Sequence, residues 1–270
     1  AVPFEGATIQ MLNEIDCGNT SDFTNAKTFI PIGNRTNSFQ GTFDGNNNTI
    51  TGLYINQTTD YAGLFGYVSN AEDVSNAEIK NLKMQNCKVV GASYVGNFVG
   101  YANGGIISNC SAEGIEVSGA SYYVGGIVGQ VSGTATITNC YNTGSVSGSY
   151  SSVGGIVGYV QGTATITNCY NTGSVSSTSF VSNVGGIVGG VQGRATITNC
   201  YNEGWVSGKQ YLGGIVGYIN VGTATITNCY NTGSVRGNKF VGGIVGYVPR
   251  YGEATITNCY NEGRVSGNNN

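Results

Sequence analysis

The feature of this sequence that most constrains its fold is an internal repeat with a period of about 29 residues. The string TATITNCYNTGSV at 134–146 returns at 163–175 and 223–235, with close variants at 195–206 and 254–265. A second string, Val-Gly-Gly-Ile-Val-Gly or a variant of it, marks the start of successive repeats near positions 62, 95, 124, 153, 184, 212 and 241. A unit of this size cannot bury an apolar face alone, so the repeat predicts a stack of equivalent units.

Each repeat divides into short β-like pieces separated by turn residues. In one copy these pieces are YYVGGIVGQV (122–131), TATITNCYN (134–142) and GSVSG (144–148). β-branched residues dominate the pieces, and Gly, Asn and Ser supply the corners. The pattern predicts an all-β fold, a parallel right-handed β-solenoid of about eight rungs with three sides. We assign residues 38–270 to the solenoid, and residues 1–37 to an irregular N-terminal cap or docking segment.

Alternation along the TATIT strand predicts which side chains face inward. The isoleucine between the two threonines should be buried, and the threonines should point outward. The predicted inward isoleucines are Ile137, Ile166, Ile197, Ile226 and Ile256. A bend at Asn139 would bring the following cysteine back to the interior, and we expect Asn142–Gly144 to turn the next corner.

Composition excludes several function classes. Only 9% of the residues are charged and the net charge is −3, which argues against nucleic acid, since nucleic-acid binding needs a basic face. No apolar run approaches the ~20 residues of a membrane span, so we expect no membrane insertion. The sequence starts AVPFEG rather than at Met, which favours a secreted chain whose signal peptide has been removed. We therefore expect an extracellular or cell-surface protein.

Catalysis and metal binding find little support. No Asp follows Asp73, and residues 117–193 contain no charged side chain, so the sequence does not indicate a cluster of catalytic carboxylates. The sequence has no His and no Cys-x-x-Cys spacing, which removes the common zinc sites. We expect no enzyme activity and no cofactor.

The cysteines fall into two groups. Five recur once per repeat and are predicted to form a column of buried, free thiols: Cys140, Cys169, Cys200, Cys229 and Cys259. Cysteine packs well as a small apolar residue, although stacked rungs also bring Cα atoms within the range of a disulfide. The irregular Cys17, Cys87 and Cys110 are better candidates for a bond.

The outward threonines are one candidate binding face. They form Thr-x-Thr pairs on successive rungs: Thr136 and Thr138, Thr165 and Thr167, Thr196 and Thr198, Thr225 and Thr227, Thr255 and Thr257. Such an array is similar to the ice-binding faces of some antifreeze solenoids. Threonine ladders also stabilise sheets without any ligand, and both interpretations stay open.

The tyrosines that follow the cysteines are a second candidate. They should stack along one edge, and they are Tyr141, Tyr170, Tyr201, Tyr230 and Tyr260. Exposed aromatic faces suit sugars or a protein partner, whereas a self-stacked aromatic ladder would serve the fold alone.

The strings FQGTFDGNNNTITGLYIN, YAGLFGYV and VGGIVGYV…ATITNCYNTGSVSG resemble the GLUG-motif repeats of bacterial surface and secreted proteins. Such repeats occur in adhesin-like proteins and in large peptidases that cleave immunoglobulin A. The resemblance implies a stalk or presenting module. The zinc motif of those peptidases, His-Glu-x-x-His, is absent, which removes proteolytic activity from the expectation.

The last rung, ending GRVSGNNN, carries no visible cap, and an uncovered rung exposes a pairing edge. We therefore expect self-association, end to end in a filament, or binding to other surface proteins or glycans. The preferred function is a non-enzymatic structural or adhesive module, either a surface stalk or a filament subunit. The alternatives are ice binding through the threonines and glycan binding along the tyrosines.

Overall fold

Short parallel strands, stacked one repeat above another, make up the protein. The computed structural model describes residues 6–18, 23, 26–70, 77–150 and 152–268. Every strand pair in these ranges is parallel, and no helix occurs in them. The predicted all-β parallel solenoid with a spacing of about 29 residues is confirmed. No helix in the described ranges has the length and apolar character to cross a membrane.

The strands form four sheets that run along the solenoid axis. Sheet 1 has 16 strands: Thr8–Gln10, Ile15–Asp16, Thr42–Asp44, Thr49–Thr51, Glu78–Gln85, Gly105–Glu113, Thr134–Thr138, Tyr141–Asn142, Thr163–Thr167, Tyr170–Asn171, Arg194–Thr198, Tyr201–Asn202, Thr223–Thr227, Tyr230–Asn231, Glu253–Thr257 and Tyr260–Asn261. Sheet 2 has seven: Phe65–Ser69, Val99–Asn103, Val128–Val131, Val157–Val160, Val188–Val191, Val216–Ile219 and Val245–Tyr247.

The other two sheets have eight and six strands. Sheet 3 has eight strands: Tyr54–Asn56, Lys88–Gly91, Glu116–Gly119, Ser145–Gly148, Val175–Ser177, Val206–Ser207, Val235–Gly237 and Val265–Gly267. Sheet 4 has six: Val95–Gly96, Val124–Gly125, Ser152–Gly154, Asn183–Gly185, Gln210–Gly213 and Lys239–Gly242. One rung passes through sheets 4, 2, 1 and 3 in that order.

The solenoid has four sheets rather than the three predicted sides, because the Val-Gly-Gly-Ile-Val-Gly string forms two strands rather than one. The chain bends at Gly126 and Ile127, between the end of one strand at Gly125 and the start of the next at Val128. The bend also turns both Ile127 and Val128 inward, and both are fully buried. Strict alternation along a single strand would leave one of the two exposed.

Register places equivalent residues directly above one another. Thr136 pairs with Thr165, Ile137 with Ile166, and the same offset continues along the stack. Buried valine, isoleucine and alanine columns fill the interior. The inward isoleucines are buried in the inner rungs, whereas Ile256 is 46% exposed because it lies in the last described rung, whose outer face no further described rung covers.

The chain before residue 38 also contacts the stack. Thr8–Gln10 pairs with Thr42–Asp44, and Ile15–Asp16 pairs with Thr49–Thr51. An isolated bridge joins Ile32 to Phe65. The described part of this segment therefore extends the ladders of the first rungs.

Candidate functional site

The Thr-x-Thr columns lie on the outer face of sheet 1. Their members alternate with buried alanine and isoleucine, so the hydroxyl and methyl groups point away from the core. Successive threonines are in register from Thr136 to Thr255 and from Thr138 to Thr257. The column beside them is less uniform, since Arg194 and Glu253 replace threonine there.

An outer asparagine ladder borders the threonine columns. Its members adopt the left-handed conformation, with φ between 52° and 54°, which asparagine tolerates better than most residues. Each side-chain amide donates to the asparagine one rung earlier at 3.0–3.2 Å, and the first donates to Asp44 at 3.1 Å. The bonded members are Asn81, Asn109, Asn139, Asn168, Asn199 and Asn228. The ladder turns the chain and joins the rungs together.

The bend made by this ladder directs the repeated cysteines inward. Cys140, Cys169, Cys200 and Cys229 are fully buried, and Cys259 in the last described rung is half-buried. The Sγ of Cys140 contacts the carbonyls of Thr138 and Ile107 at 3.2 and 3.6 Å, and its neighbours repeat this arrangement. Burial raises the pKa of Cys140 and of Cys169 well above the usual thiol range. These thiols pack and donate hydrogen bonds, and they are poor nucleophiles.

Cys87 and Cys110, which the sequence favoured for a bond, are also buried thiols. Cys87 donates to the carbonyl of Gln85 at 3.3 Å, and Cys110 donates to that of Ser108 at 3.3 Å. Burial raises the pKa of Cys87 to about 11. In this structure both are free thiols that follow the repeated inward bend, and neither takes part in a disulfide.

Thiol labelling should separate Cys17 from the buried column. In a mildly alkaline buffer, a thiol reagent should modify the exposed Cys17 quickly, while the thiols from Cys87 to Cys229 react only after denaturant unfolds the stack. Mass spectrometry of the labelled chain identifies the modified residues. Rapid labelling of Cys140 or Cys169 in the native protein would contradict the buried arrangement.

An inner asparagine ladder runs through the core beside the cysteines. Its members are fully buried except in the last described rung, and they are Asn142, Asn171, Asn202, Asn231 and Asn261. Each amide donates to a glycine carbonyl two residues on at 2.7–2.8 Å, and the amides of Asn142 to Asn231 also donate to the asparagine of the next rung at 2.7–2.8 Å. Asn142 therefore lies inside the stack, at the start of the stretch 142–144 where the chain turns from sheet 1 to sheet 3. It satisfies the buried carbonyl at Gly144, which is why asparagine is needed there.

The repeated tyrosines stack along the outer edge of sheet 1. The ring centroids from Tyr141 to Tyr230 lie 4.7–4.8 Å apart with interplanar angles of 1–6°, and Tyr260 follows at 5.2 Å. Tyr141 donates to Glu113 at 2.6 Å, which anchors the first ring. Most of the area of the ring faces contacts a neighbouring ring, so ring edges and hydroxyls are what the column presents to solvent.

Alkaline titration should reveal this tyrosine column. Burial, followed by the neighbouring Tyr141 and Tyr201, raises the pKa of Tyr170 to about 12. The folded state therefore holds the phenolic proton longer than the unfolded chain, whose tyrosines ionise near pH 10. Stability should stay constant below about pH 10 and fall as the pH rises towards 12. Absorbance of phenolate, followed with circular dichroism, measures this, and ionisation of all 18 tyrosines near pH 10 without unfolding would contradict it.

Three ion pairs join charged groups in the N-terminal half of the chain. Lys80 lies 2.6 Å from Glu78, and Lys88 lies 2.9 Å from Glu116. Lys83 lies 2.6 Å from Glu113, which also accepts from Tyr141. Among the described residues, no group of three or more His, Cys, Asp and Glu is placed to hold a metal ion.

Two surface features escaped the sequence reasoning. One is an aromatic cluster on sheets 2 and 4, where Tyr67 stacks on Tyr101 at 4.6 Å and Tyr123 stacks on Tyr159 at 4.3 Å. The other is a groove on sheet 3 beside Trp205. The available signal was a departure from the repeat, since Trp205 stands where earlier rungs carry serine.

Comparisons with known proteins agree with the fold. A crystal structure of a candidate immunoglobulin A1 protease from Bacteroides ovatus matches with a TM-score of 0.59 at 20% identity, over 95% of this chain and 68% of that one. Halomucin of Haloquadratum walsbyi is 35% identical over 108 residues, which is 39% of this chain and 1% of halomucin. A candidate Gly-rich membrane protein of Evansella cellulosilytica is 35% identical over 113 residues, 40% of this chain and 12% of that protein. The chain thus spans a small part of both relatives.

The family model of the GLUG motif matches at 120–147, 149–176, 181–207 and 208–236. Each match covers close to one rung, and the four follow one another along the stack. The chain thus contains four consecutive GLUG-motif repeats, and over this part of its length it resembles the GLUG-motif repeat proteins.

Proposed function

We propose that the chain is a non-enzymatic structural and adhesive module of an extracellular or cell-surface protein. The observation that carries this proposal is how the repeated side chains are used. The cysteine column and the inner asparagine ladder are buried and bonded, and the tyrosine column stacks on itself. These cysteine, asparagine and tyrosine side chains therefore hold one rung to the next, which is what a stiff spacer requires.

The relatives support the same role. Halomucin and the Evansella protein are far longer than the segments matched here, so the matched repeats are a small part of each. The name of the second describes a membrane protein, which favours a location at the cell surface. The Bacteroides neighbour supports the fold alone, and the sequence here contains no histidine for a His-Glu-x-x-His zinc site.

Rung-on-rung pairing also suggests how such a module could associate. Backbone groups at the end of a solenoid can pair with those of a second copy, as one rung pairs with the next. We therefore include end-to-end assembly into filaments, beside a stalk within one chain, among the forms of this function.

Retention without turnover tests the proposal. Beads coated with the chain are presented with immobilised glycans, with a second layer of the same chain, and with immunoglobulin A1. The proposal expects retention on glycans or on the chain itself, with every ligand recovered intact. Cleavage of any of these ligands in step with the amount of chain would overturn it, and so would an absence of retention on every surface.

Ice binding remains a second candidate, favoured by the in-register threonine columns. The two threonine columns run side by side, and along each column the residues of successive rungs lie about 4.8 Å apart. Together they form a regular array of hydroxyl and methyl groups. Thermal hysteresis of a concentrated solution tests it, and Thr167→Tyr in mid-array should abolish the effect. The same freezing and melting points as a protein of equal mass without such columns would end this candidate.

A further inference from the structure

Three side chains interrupt the neutral outer surface at one place on sheet 3. Trp205 and Arg264 stand at the position before the repeated valine of the strand, where earlier rungs carry Ser145 and Ser174. Arg236 stands at the position after that valine, where Ser207 precedes it. Backbone bonds from Val206 to Ser234 and from Val235 to Arg264, at 2.9 and 2.8 Å, fix the register of the three rungs.

The small Ser234 leaves a gap between two large side chains. Trp205 and Arg264 are two rungs apart, about 10 Å along the axis, with Ser234 between them. A recess of about 410 Å³ fills this gap, and its lining is Trp205, Ser234, Arg236, Arg264, Ser266 and Asn268. A second recess of about 280 Å³ shares Trp205, Arg236 and Asn268 with the first. The two recesses form one open groove, which we call the Trp205 groove.

The groove holds unpaired positive charge beside an exposed aromatic ring. The ion pairs found in the described ranges all lie between Glu78 and Glu116, and none involves Arg236 or Arg264. Trp205 is 52% exposed and is the single tryptophan of the chain. An exposed indole gains from covering its face, and an unpaired guanidinium favours an anion with two oxygens.

We propose that the Trp205 groove binds an acidic saccharide, with a sugar ring on the indole and its carboxylate or sulfate on Arg236 and Arg264. A guanidinium group can form two parallel hydrogen bonds with a carboxylate or with a sulfate. The hydroxyls of Ser234 and Ser266 and the amide of Asn268 are at hand for sugar hydroxyls. Two adjoining recesses suit more than one sugar unit.

The chemistry favours a saccharide over a nucleic acid. The chain carries a net charge of −3, and the groove presents two cations rather than a long basic face. The site does not depend on the spacer role, since its side chains point outward and leave the ladders of the core intact.

Fluorescence of Trp205 gives a direct assay, because no other tryptophan contributes. The full chain is titrated at physiological salt with an oligogalacturonate, which carries carboxylates, and with a heparin oligosaccharide, which carries sulfates. A neutral malto-oligosaccharide and oligo(dT) are the comparison ligands. We expect a saturable change with at least one acidic saccharide, and the two acidic arms show which anion is preferred.

Variants locate the site while keeping the tryptophan signal. Arg236→Ala should weaken binding about tenfold or more, because it removes a charge-assisted bond. The affinity of Arg236→Lys should lie between those of the parent chain and of Arg236→Ala, since lysine keeps the charge but not the bidentate geometry. Ser234→Tyr removes no charge and should weaken binding as strongly by filling the gap. Arg194→Ala, on sheet 1, is the matched loss of one positive charge and should leave affinity unchanged.

Several results would overturn the proposal. They are no saturable change with either acidic saccharide, equal affinity for the neutral one, affinity for oligo(dT) as high as for the best saccharide, and affinity unchanged by both Arg236→Ala and Ser234→Tyr. Circular dichroism of each variant confirms that the stack is intact, as expected for exposed positions.

Discussion

Gly155→Ala should destabilise the protein by about 3 kcal/mol, although it adds one methyl group to the core. A Cβ at this position would collide with the carbonyl oxygen of Gly186 on the next rung and with the side chain of Asn171. Both neighbours are held by bonds between rungs, since the Gly186 amide donates to the Gly213 carbonyl at 3.1 Å and the Asn171 side-chain amide donates to Asn202 at 2.8 Å. The rungs must separate locally to admit the methyl group. Thermal and denaturant unfolding measure the loss, which should lower the Tm by about 10 °C.

Gly208→Ser is the matched control for this substitution. Gly208 lies in the column of Gly148 and Ser177, so a neighbouring rung already carries a serine there. A Cβ at Gly208 would meet Val184 at 3.1 Å, a side-chain atom that can shift. We expect less than about 1 kcal/mol of destabilisation. If Gly155→Ala proves as mild as Gly208→Ser, the close approach of rungs at the glycine column is wrong.

Asn202→Asp should be the most damaging near-isosteric change, at about 3–5 kcal/mol in neutral solution. The amide of Asn202 donates to the Gly204 carbonyl at 2.8 Å and to Asn231 Oδ1 at 2.7 Å. A carboxylate cannot donate, and it would place a buried charge against both acceptors. Denaturant unfolding compares the variant with the parent chain.

The penalty of Asn202→Asp should depend on pH in a defined direction. Burial beside two acceptors raises the pKa of the introduced carboxyl above the value of about 3.9 in an unfolded chain. The folded state therefore binds the proton more tightly, and the variant should regain stability as the pH falls towards 4. A penalty independent of pH would contradict the buried ladder.

Asn199→Asp supplies the control for the inner ladder. Asn199 belongs to the outer ladder, where its amide donates to Asn168 at 3.2 Å in contact with solvent. Water can satisfy the groups that lose a partner there, so we expect a loss of less than about 1 kcal/mol. The contrast between the two asparagines isolates burial as the cause.

The sequence predicted the stack because its strongest signal, the period, is also the physical origin of the fold. Ile137 was placed inside by alternation, and it is buried. The corner at Gly126 and the burial of Asn142 were missed, because both depend on how neighbouring rungs approach. A short β-like string does not reveal where it bends, and a polar residue is not expected in a core until its partners are known.

The Trp205 groove was missed for a different reason. A repeat is recognised by the residues that recur, whereas this groove consists of residues that depart from the repeat on three successive rungs. Their convergence appears only after register places Trp205, Arg236 and Arg264 together. In a stack whose repeated residues serve the fold, such departures are where specific binding is expected.

Deletion of one rung tests the central claim, that equivalent rungs set the length of a stiff module, most directly. Removing residues 153–183 joins Ser152 to Val184, which pairs with Val153 in the intact stack. Spin labels on Ser118→Cys and Ser266→Cys, with Cys17→Ser and Cys259→Ser, report a separation of five rungs along one column. Both proteins should give a narrow distance distribution between the two labels. The mean distance should be shorter by about 4.8 Å after the deletion. A broad distribution or an unchanged distance would contradict it.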